Sequence, residues 1–152
     1  YEMQRSLVGS EMCIRDRPLC DSVATRLRQQ GLYAGGVSLS IKDASFKTVS
    51  RQIRLDAPTH LMRDIHRTAM QLAGQLWKPP TPVRAMTVTA LYVTEDGDAF
   101  RQLDLLGGAA QERSQRQEKL EGTMDAIRRK YGRGAIAFGD GQETEEDLPE
   151  HE

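Results

Sequence analysis

Apolar and polar positions recur along most of the chain with regular spacing, and this pattern predicts its secondary structure. From Pro18 to Gln30 the apolar residues fall at i, i+3, i+4 and i+7, which is one face of a helix that ends at Gly31. Val37 to Lys42 alternates apolar and polar residues, as a strand with one solvated face does. Phe46 to Leu55 continues as a second strand, in which Arg51 breaks the alternation and indicates a bulge or an edge position.

The second half of the pattern predicts a helix, a strand and a final helix. Thr59 follows a proline and is the expected N-cap of a helix that ends before the prolines of residues 78–82. Val83 to Val93 predicts a third strand with threonines on one face and apolar residues on the other. The last helix is expected at residues 111–130. The residues in phase on its apolar side are Leu120, Met124, Ile127 and Tyr131.

This order of helix, strand, strand, helix, strand and tail helix predicts an α+β fold. Two helices can cover only one face of a small sheet, so the other face is expected to be open. That face carries Ser, Thr, Lys and Arg side chains. An open polar face on a sheet is therefore the main candidate for a functional surface.

The net charge of −1 averages two unlike regions. Residues 18–94 contain ten basic and four acidic side chains, a net charge of +6. Residues 140–152 contain seven acidic side chains and no Lys or Arg, and are expected to form a solvated, disordered tail. A compact basic region beside an acidic tail predicts a polyanionic partner for the basic region.

Residues 1–17 show no clear helical or strand period, and back-translation of Leu7 to Asp16 resembles a transposase adapter used to prepare sequencing libraries. We therefore expect this segment to be non-native and the chain to be a fragment whose beginning is lost; a disordered native N-terminus is the alternative. With Cys13 set aside, Cys20 is the single cysteine, which excludes a disulfide framework and fits a reducing, cytoplasmic setting. No apolar run approaches the length of a membrane span.

Two stretches of the sequence resemble a known family. CDSVATRLRQQGLYAGGVSLSIKDASFKTVSRQIRLDAPTH, which begins at Cys20, and PVRAMTVTALYV, which begins at Pro82, are similar to the C-terminal little finger domain of Y-family translesion DNA polymerases of the bacterial polymerase IV type. The resemblance implies a β-α-β-β-α-β sheet with two helices on one face, plus a C-terminal tail helix, with the first strand missing here. It also implies duplex template–primer DNA as the partner, and a role in DNA repair, damage bypass and the SOS response.

Carried over by position, the resemblance implies a DNA-binding face of hydroxyl and basic side chains. These residues are Ser38, Ser40, Lys42, Lys47, Thr48, Ser50, Arg51, Arg54, Arg84, Thr87 and Thr89. Such contacts position a duplex on its phosphates without reading its bases. Ala85 stands where family members often carry a basic residue, so the grip there is expected to be weaker. The palm carboxylates that bind Mg²⁺ in these polymerases are not in this sequence, so the fragment itself is expected to be non-catalytic.

The stretch QLDLL resembles the short peptide by which bacterial polymerases bind the sliding clamp. In that peptide a Gln amide bonds at the rim of a pocket while apolar side chains enter a hydrophobic groove. Leu106 replaces the usual Phe, which predicts lower affinity because less area is buried. The residues of this expected clamp-binding motif are Gln102, Leu103, Asp104, Leu105 and Leu106. A linker strand that packs on its own domain is the alternative.

The expected organisation is a non-native segment at 1–17, a little finger domain at 18–94, a linker with the clamp-binding motif at 95–110, a tail helix with a short extension at 111–138, and an acidic tail at 139–152. Two other functions remain open. An RNA-binding α/β module would present exposed aromatic side chains on its strands. A ferredoxin-like regulatory domain would contain an apolar pocket for a small molecule or a partner protein.

Overall fold

The computed structural model describes residues 2–6, 12–78, 81–95 and 108–138. Within these ranges the chain forms four strands and three α-helices. They are β1 (Glu2–Ser6), α1 (Met12–Gln29), β2 (Ala34–Asp43), β3 (Thr48–Thr59), α2 (Met62–Leu76), β4 (Val83–Leu91) and α3 (Gly108–Tyr131). No helix in the described ranges is long and apolar enough to span a membrane. The predicted α+β class is confirmed.

The four strands form one antiparallel sheet in the order β1-β4-β2-β3. Val37, Leu39 and Ile41 of β2 are buried in the core together with apolar residues of α1 and α2. The alternate residues of β2 are half-buried and lie on the opposite face. The two helices therefore cover one face of the sheet, and the polar face remains accessible, as the sequence predicts.

Helix α1 packs its predicted apolar stripe against the sheet. The residues of this stripe, all of them in the core, are Cys20, Val23, Ala24 and Leu27, and Leu19 is a further core residue of the helix. Gly31 has a φ of +66°, and the N–H of Leu32 donates to the carbonyl of Leu27 at 2.9 Å. This is the left-handed helix end that glycine favours, so the predicted end of α1 is confirmed.

The sequence predicts Thr59 as the N-cap of α2, but the structure does not place it there. The N-cap is Leu61, which makes no side-chain capping hydrogen bond. Thr59 is instead the last residue of β3, where it pairs with Ala34 of β2. Its hydroxyl accepts the N–H of Leu61 at 3.1 Å and donates to Asp64 at 2.9 Å. The prediction was wrong because pairing with β2 keeps the chain extended past Pro58, which moves the helix start two residues on.

The expectation that the first strand is missing is also wrong. Glu2–Ser6 pairs antiparallel with β4 over a register from Glu2↔Thr89 to Ser6↔Ala85. Helix α1 begins at Met12, so Pro18 lies within it. Without β1, the backbone groups along one edge of β4 would have no strand partner, and pairing of those groups needs no particular side chains. The structure thus places residues expected to lie outside the fold in a strand and in the first turns of α1.

Helix α3 does not dock through the apolar stripe that the sequence predicts. Met124 is buried, but Leu120 is 49% and Tyr131 is 69% exposed. The side chain turned fully inward is Glu121, which is 1% exposed. It forms an ion pair with Arg28 of α1, so α3 is held to the helix layer by charged groups rather than by an apolar seam.

Candidate nucleic-acid interface

The accessible face of the sheet, here called the open face, brings polar residues of β2, β3 and β4 into rows across the strands. Paired residues of neighbouring antiparallel strands point to the same side of a sheet. The rows are Ser38 between Gln52 and Thr89, Ser40 between Ser50 and Thr87, and Lys42 between Thr48 and Ala85. The predicted hydroxyl residues and Lys42 therefore share one surface. Gln52 is in phase with Ser50 and belongs to the same face, although it was not among the predicted site residues.

The hydroxyl rows suit contacts with phosphate groups. Ser and Thr hydroxyls donate hydrogen bonds, and their short side chains let a large anionic ligand come close to the strands. The residues of β3 in these rows are exposed, those of β2 and the two threonines of β4 are half-buried, and Ala85 is buried. The open face is thus most accessible along its β3 edge.

Arg54 and Arg84 add positive charge at opposite ends of the open face. Arg54 lies opposite Gly36 in the β2–β3 pairing. At the other end the β2–β4 register shifts between Lys42 and Asp43, and Arg84 is exposed although its spacing from the core residues Met86 and Val88 would turn it inward in a regular strand. An extra residue in one strand re-aims a side chain, and here the bulge turns Arg84 away from the core.

Arg51 does not lie on the open face, which corrects its assignment to the DNA-binding residues. It pairs with Leu39, whose side chain is in the core on the helix-covered side. Its guanidinium donates a hydrogen bond to the side chain of Gln75 in α2 at 2.8 Å. Because β3 is the edge strand, a long side chain on the covered side passes beside α2 and still reaches solvent. The predicted edge position is confirmed, and the predicted orientation is wrong.

Lys47 precedes β3 in the tight turn between β2 and β3. The N–H of Lys47 donates to Oδ1 of Asp43 at 3.0 Å, and the hydroxyl of Ser45 donates to the same oxygen at 2.6 Å. The hydrogen bond from Ser45 is the main cause that holds the pKa of Asp43 below its ordinary value. The structure therefore places Lys47 at the end of the open face, next to a carboxylate that stays ionised, and not in the hydroxyl rows.

Tyr92 is a further open-face residue that the strand pattern did not reveal. Its ring lies against Gly36, where a Cβ atom would come within 2.9 Å of Cδ2 of Tyr92. The guanidinium carbon of Arg54 is 4.8 Å from the centroid of this ring. Tyr92 was predicted to continue the third strand, but its φ of +51° ends the regular pairing at Leu91. No local sequence signal marks that conformation.

The expected clamp-binding residues, Gln102 to Leu106, lie outside the described residues.

A cleft of about 730 Å³ lies between α1 and the end of α3. Charged side chains line it, among them Asp21, Arg28, Asp125 and Arg128. It is not the apolar pocket that the ferredoxin-like alternative requires.

Comparison with known proteins shows one matching family. Residues 15–105 match the family described as impB/mucB/samB family C-terminal domain. The DNA polymerase IV of Pelotomaculum thermopropionicum is 33% identical over 118 residues, which are 78% of this chain and 28% of that protein. The DNA polymerase IV of Bacillus velezensis is 30% identical over 118 residues, with the same two coverages of 78% and 28%. The chain thus spans about 28% of the length of the curated relatives it matches.

Two solved structures are also similar to this chain. A complex of the beta-clamp processivity factor and the little finger domain of PolIV gives a TM-score of 0.45 at 16% identity, covering 69% of this chain and 96% of that chain. DinB from Sulfolobus solfataricus gives a TM-score of 0.44 at 11% identity, covering 57% of this chain and 27% of that chain. These similarities are low, and the family match over residues 15–105 is the more informative comparison.

Proposed function

Because this chain belongs to the impB/mucB/samB family through its C-terminal domain, we propose that it grips template–primer duplex DNA through phosphate contacts. Its homology to bacterial DNA polymerase IV supports its place as the non-catalytic C-terminal part of a Y-family translesion polymerase. In this proposal the catalytic carboxylates and their Mg²⁺ ions belong to a palm domain outside this chain. A cytoplasmic role in DNA repair, damage bypass and the SOS response is part of the same proposal.

The observation that carries the proposal is the open face itself. Hydroxyl side chains stand in rows across three strands, and Lys42, Arg54 and Arg84 lie among them or at their ends. Lys and Arg release counterions from a duplex when they approach its phosphates, and this release supplies sequence-independent affinity. Apart from Gln52 and Lys42, the polar groups in the rows are single hydroxyls, which discriminate poorly between bases. The face is therefore suited to hold a duplex whatever its sequence, as a damage-tolerant polymerase requires.

A salt titration tests this function. The full chain is mixed with two fluorescent duplexes of unrelated sequence, and the Kd is measured at several NaCl concentrations. The basic residues of the open face and its turn are Lys42, Lys47, Arg54 and Arg84, so log Kobs is expected to fall with log salt at a slope of about −3 to −4 for both duplexes. A flat salt response, or a strong preference for one sequence, would contradict phosphate gripping.

The RNA-binding alternative is examined in the same titration. Two exposed aromatic side chains, Phe46 and Tyr92, lie at the two ends of the open face and not on the central part of its strands. Stacking on unpaired bases would require single-stranded RNA to bind more tightly than duplex DNA. We expect the duplex to bind at least as well, and the opposite order would favour the RNA-binding function.

We also propose that the motif from Gln102 to Leu106 tethers the protein to the bacterial sliding clamp. Support comes from the sequence QLDLL, which lies within the linker expected after residues 18–94. Attachment of one chain at two sites raises the effective concentration of each site for its partner.

A further inference from the structure

Two aromatic residues of the described ranges have an unusual backbone conformation. Phe46 has a φ of +65° and Tyr92 a φ of +51°, and they are the two non-glycine residues with positive φ among the residues that the structure describes. A bulky side chain rarely adopts this left-handed conformation, and strain of this kind clusters at functional sites. Both rings remain exposed to solvent, at 63% for Phe46 and 54% for Tyr92. Burial of the rings therefore does not account for the strain.

The ring of each of these aromatic residues contacts one arginine of the open face. The guanidinium carbon of Arg84 lies 4.1 Å from the ring centroid of Phe46, and that of Arg54 lies 4.8 Å from the ring centroid of Tyr92. The two stacked pairs lie near opposite ends of β2, close to Asp43 and to Gly36 respectively. Seven residues of strand separate these ends, which is roughly 23 Å at about 3.3 Å per residue. Phosphates of one DNA strand follow each other at about 3.4 Å along the axis, so the two arginines face different phosphates.

Local backbone structure positions both aromatic residues. Tyr92 lies against Gly36, whose missing side chain leaves room for the ring. Phe46 is held by the β2–β3 turn, in which its N–H donates to the carbonyl of Asp43 at 3.1 Å. A guanidinium that stacks on a fixed ring loses less conformational freedom when it later binds a ligand.

We propose that Tyr92 and Phe46 are positioning residues that hold Arg54 and Arg84 for two separated phosphate groups of the duplex. This inference rests on the proposed function of the open face. The guanidinium carbon of each arginine lies over its ring, and the N–H edge is the part that binds phosphate oxygens in a bidentate manner. The strained backbone at Phe46 and Tyr92 serves to place the ring beneath the arginine.

A double-mutant cycle on the full chain tests the Tyr92–Arg54 pair. Tyr92→Leu removes the ring and is expected to weaken duplex binding about two- to five-fold, the range for an exposed cation–π contact. The same change made in an Arg54→Gln background should cause no further loss, because the ring acts through the arginine. Tyr92→Phe keeps the ring and should bind as the parent chain does. Phe46→Leu and Arg84→Gln form the parallel cycle at the other end.

Tyr131→Leu is the matched control. Tyr131 is an exposed tyrosine at the end of α3, away from the sheet. Nζ of Lys130 lies 5.3 Å from the centroid of its ring. Loss of the Tyr131 ring should leave duplex affinity unchanged. Arg54→Lys tests the same pair from the side of the arginine. Lysine keeps the positive charge but lacks the flat guanidinium group. This variant should also weaken binding about two- to five-fold.

The outcomes separate this inference from the proposed function. If Arg54→Gln and Arg84→Gln leave duplex affinity unchanged, the open face does not bind phosphate and the proposed function fails. If Arg54→Gln weakens binding but Tyr92→Leu and Arg54→Lys do not, only the positioning role is overturned. If the losses from Tyr92→Leu and Arg54→Gln multiply in the double variant, the ring contacts DNA by itself, which also overturns the positioning role.

Discussion

Arg28 of α1 and Glu121 of α3 form a buried ion pair across the helix layer, with side chains 8% and 1% exposed. The same Glu121 carboxylate accepts the backbone N–H of Met62, the first residue of α2, at 2.8 Å. Arg28 also donates to Asp125 of α3 and to the carbonyl of His60. One carboxylate of α3 thus joins the end of α1 to the start of α2. The tail helix therefore contacts both of the helices that cover the sheet.

The position of α3 also bears on the proposed function. Arg128, near the end of α3, pairs with Asp21 of α1 at 2.8 Å. This ion pair and the one between Arg28 and Glu121 both join α3 to α1, which covers the side of the sheet opposite the open face. Helix α3 therefore leaves the open face accessible, and the linker that precedes it carries the proposed clamp-binding motif.

Replacement of Glu121 tests the role of this carboxylate in stability. Glu121→Ala leaves a buried arginine with one partner fewer and an α2 N–H without an acceptor, so we expect a loss of about 3–5 kcal/mol in the free energy of unfolding. Urea denaturation of the full chain measures it. Glu118→Ala is the control, since Glu118 pairs with His60 but its side chain is 53% exposed, and it should cost about 0–1 kcal/mol. Equal losses from the two changes would show that Glu121 contributes no more than a surface charge.

Charge reversal tests which side of the domain contacts DNA. Lys42→Glu with Arg54→Glu should weaken duplex binding strongly and reduce the magnitude of the salt slope by roughly two, because two phosphate contacts are lost. Arg63→Glu with Arg67→Glu changes the net charge equally but acts on α2, on the covered side. Duplex affinity measured by fluorescence anisotropy should change much less in that second variant. Similar losses in both variants would mean that the positive charge acts diffusely.

Arg51 and Arg54 provide a comparison within one strand. Arg51→Gln is expected to keep duplex affinity within about twofold, because this side chain lies on the covered side and bonds to Gln75. Arg54→Gln should weaken duplex binding by about 1.5–3 kcal/mol, the range of a hydrogen bond to a charged group. Titration of each variant against the same duplex measures the two losses of affinity. A larger loss at Arg51 would show that DNA reaches the β3 edge from the covered side.

The β2–β3 turn has a predictable response to pH. The hydroxyl of Ser45 first, and then backbone N–H groups, lower the pKa of Asp43 below its ordinary value of 3.8. A carboxyl whose pKa is lower in the folded state stabilises it above the ordinary value, and this contribution is lost as pH falls through the folded pKa. Ser45→Ala should raise the pKa of Asp43 toward its ordinary value, as measured by NMR titration of the carboxyl carbon. An unchanged pKa would show that the Ser45 hydroxyl does not hold the turn.

The clamp-binding motif is tested with a peptide of residues 99–108 and purified bacterial sliding clamp. We expect modest affinity, which Gln102→Ala combined with Leu105→Ala abolishes. Leu106→Phe should tighten binding, because a larger apolar side chain buries more area at about 25 cal/mol per Å². The alternative is that these five residues pack on their own domain. In that case the double alanine change should lower the Tm of the full chain, and none of the peptides should bind the clamp.

The sequence by itself determined the parts of this protein in which burial follows a local period. The alternation from Val37 to Lys42 identified the core and polar faces of β2, and the helical spacing before Gly31 identified the buried stripe of α1. These predictions hold because a single apolar layer lies on one side of each element. The stretches that carry the family resemblance include these two elements together with β3 and β4, and the family match confirms that resemblance.

Only the tertiary structure decided the features that depend on a partner distant in sequence. β1 is defined by the backbone edge of β4, which accepts a strand of almost any side chains. The orientation of Arg51 follows from its pairing with Leu39, and the exposure of Arg84 follows from a bulge against β2. Glu121 is buried because Arg28 and the N–H of Met62, both far away in the chain, together satisfy its charge. A periodicity argument assigns a charged residue to solvent, since burial of a charge is favourable only when the fold supplies its partners.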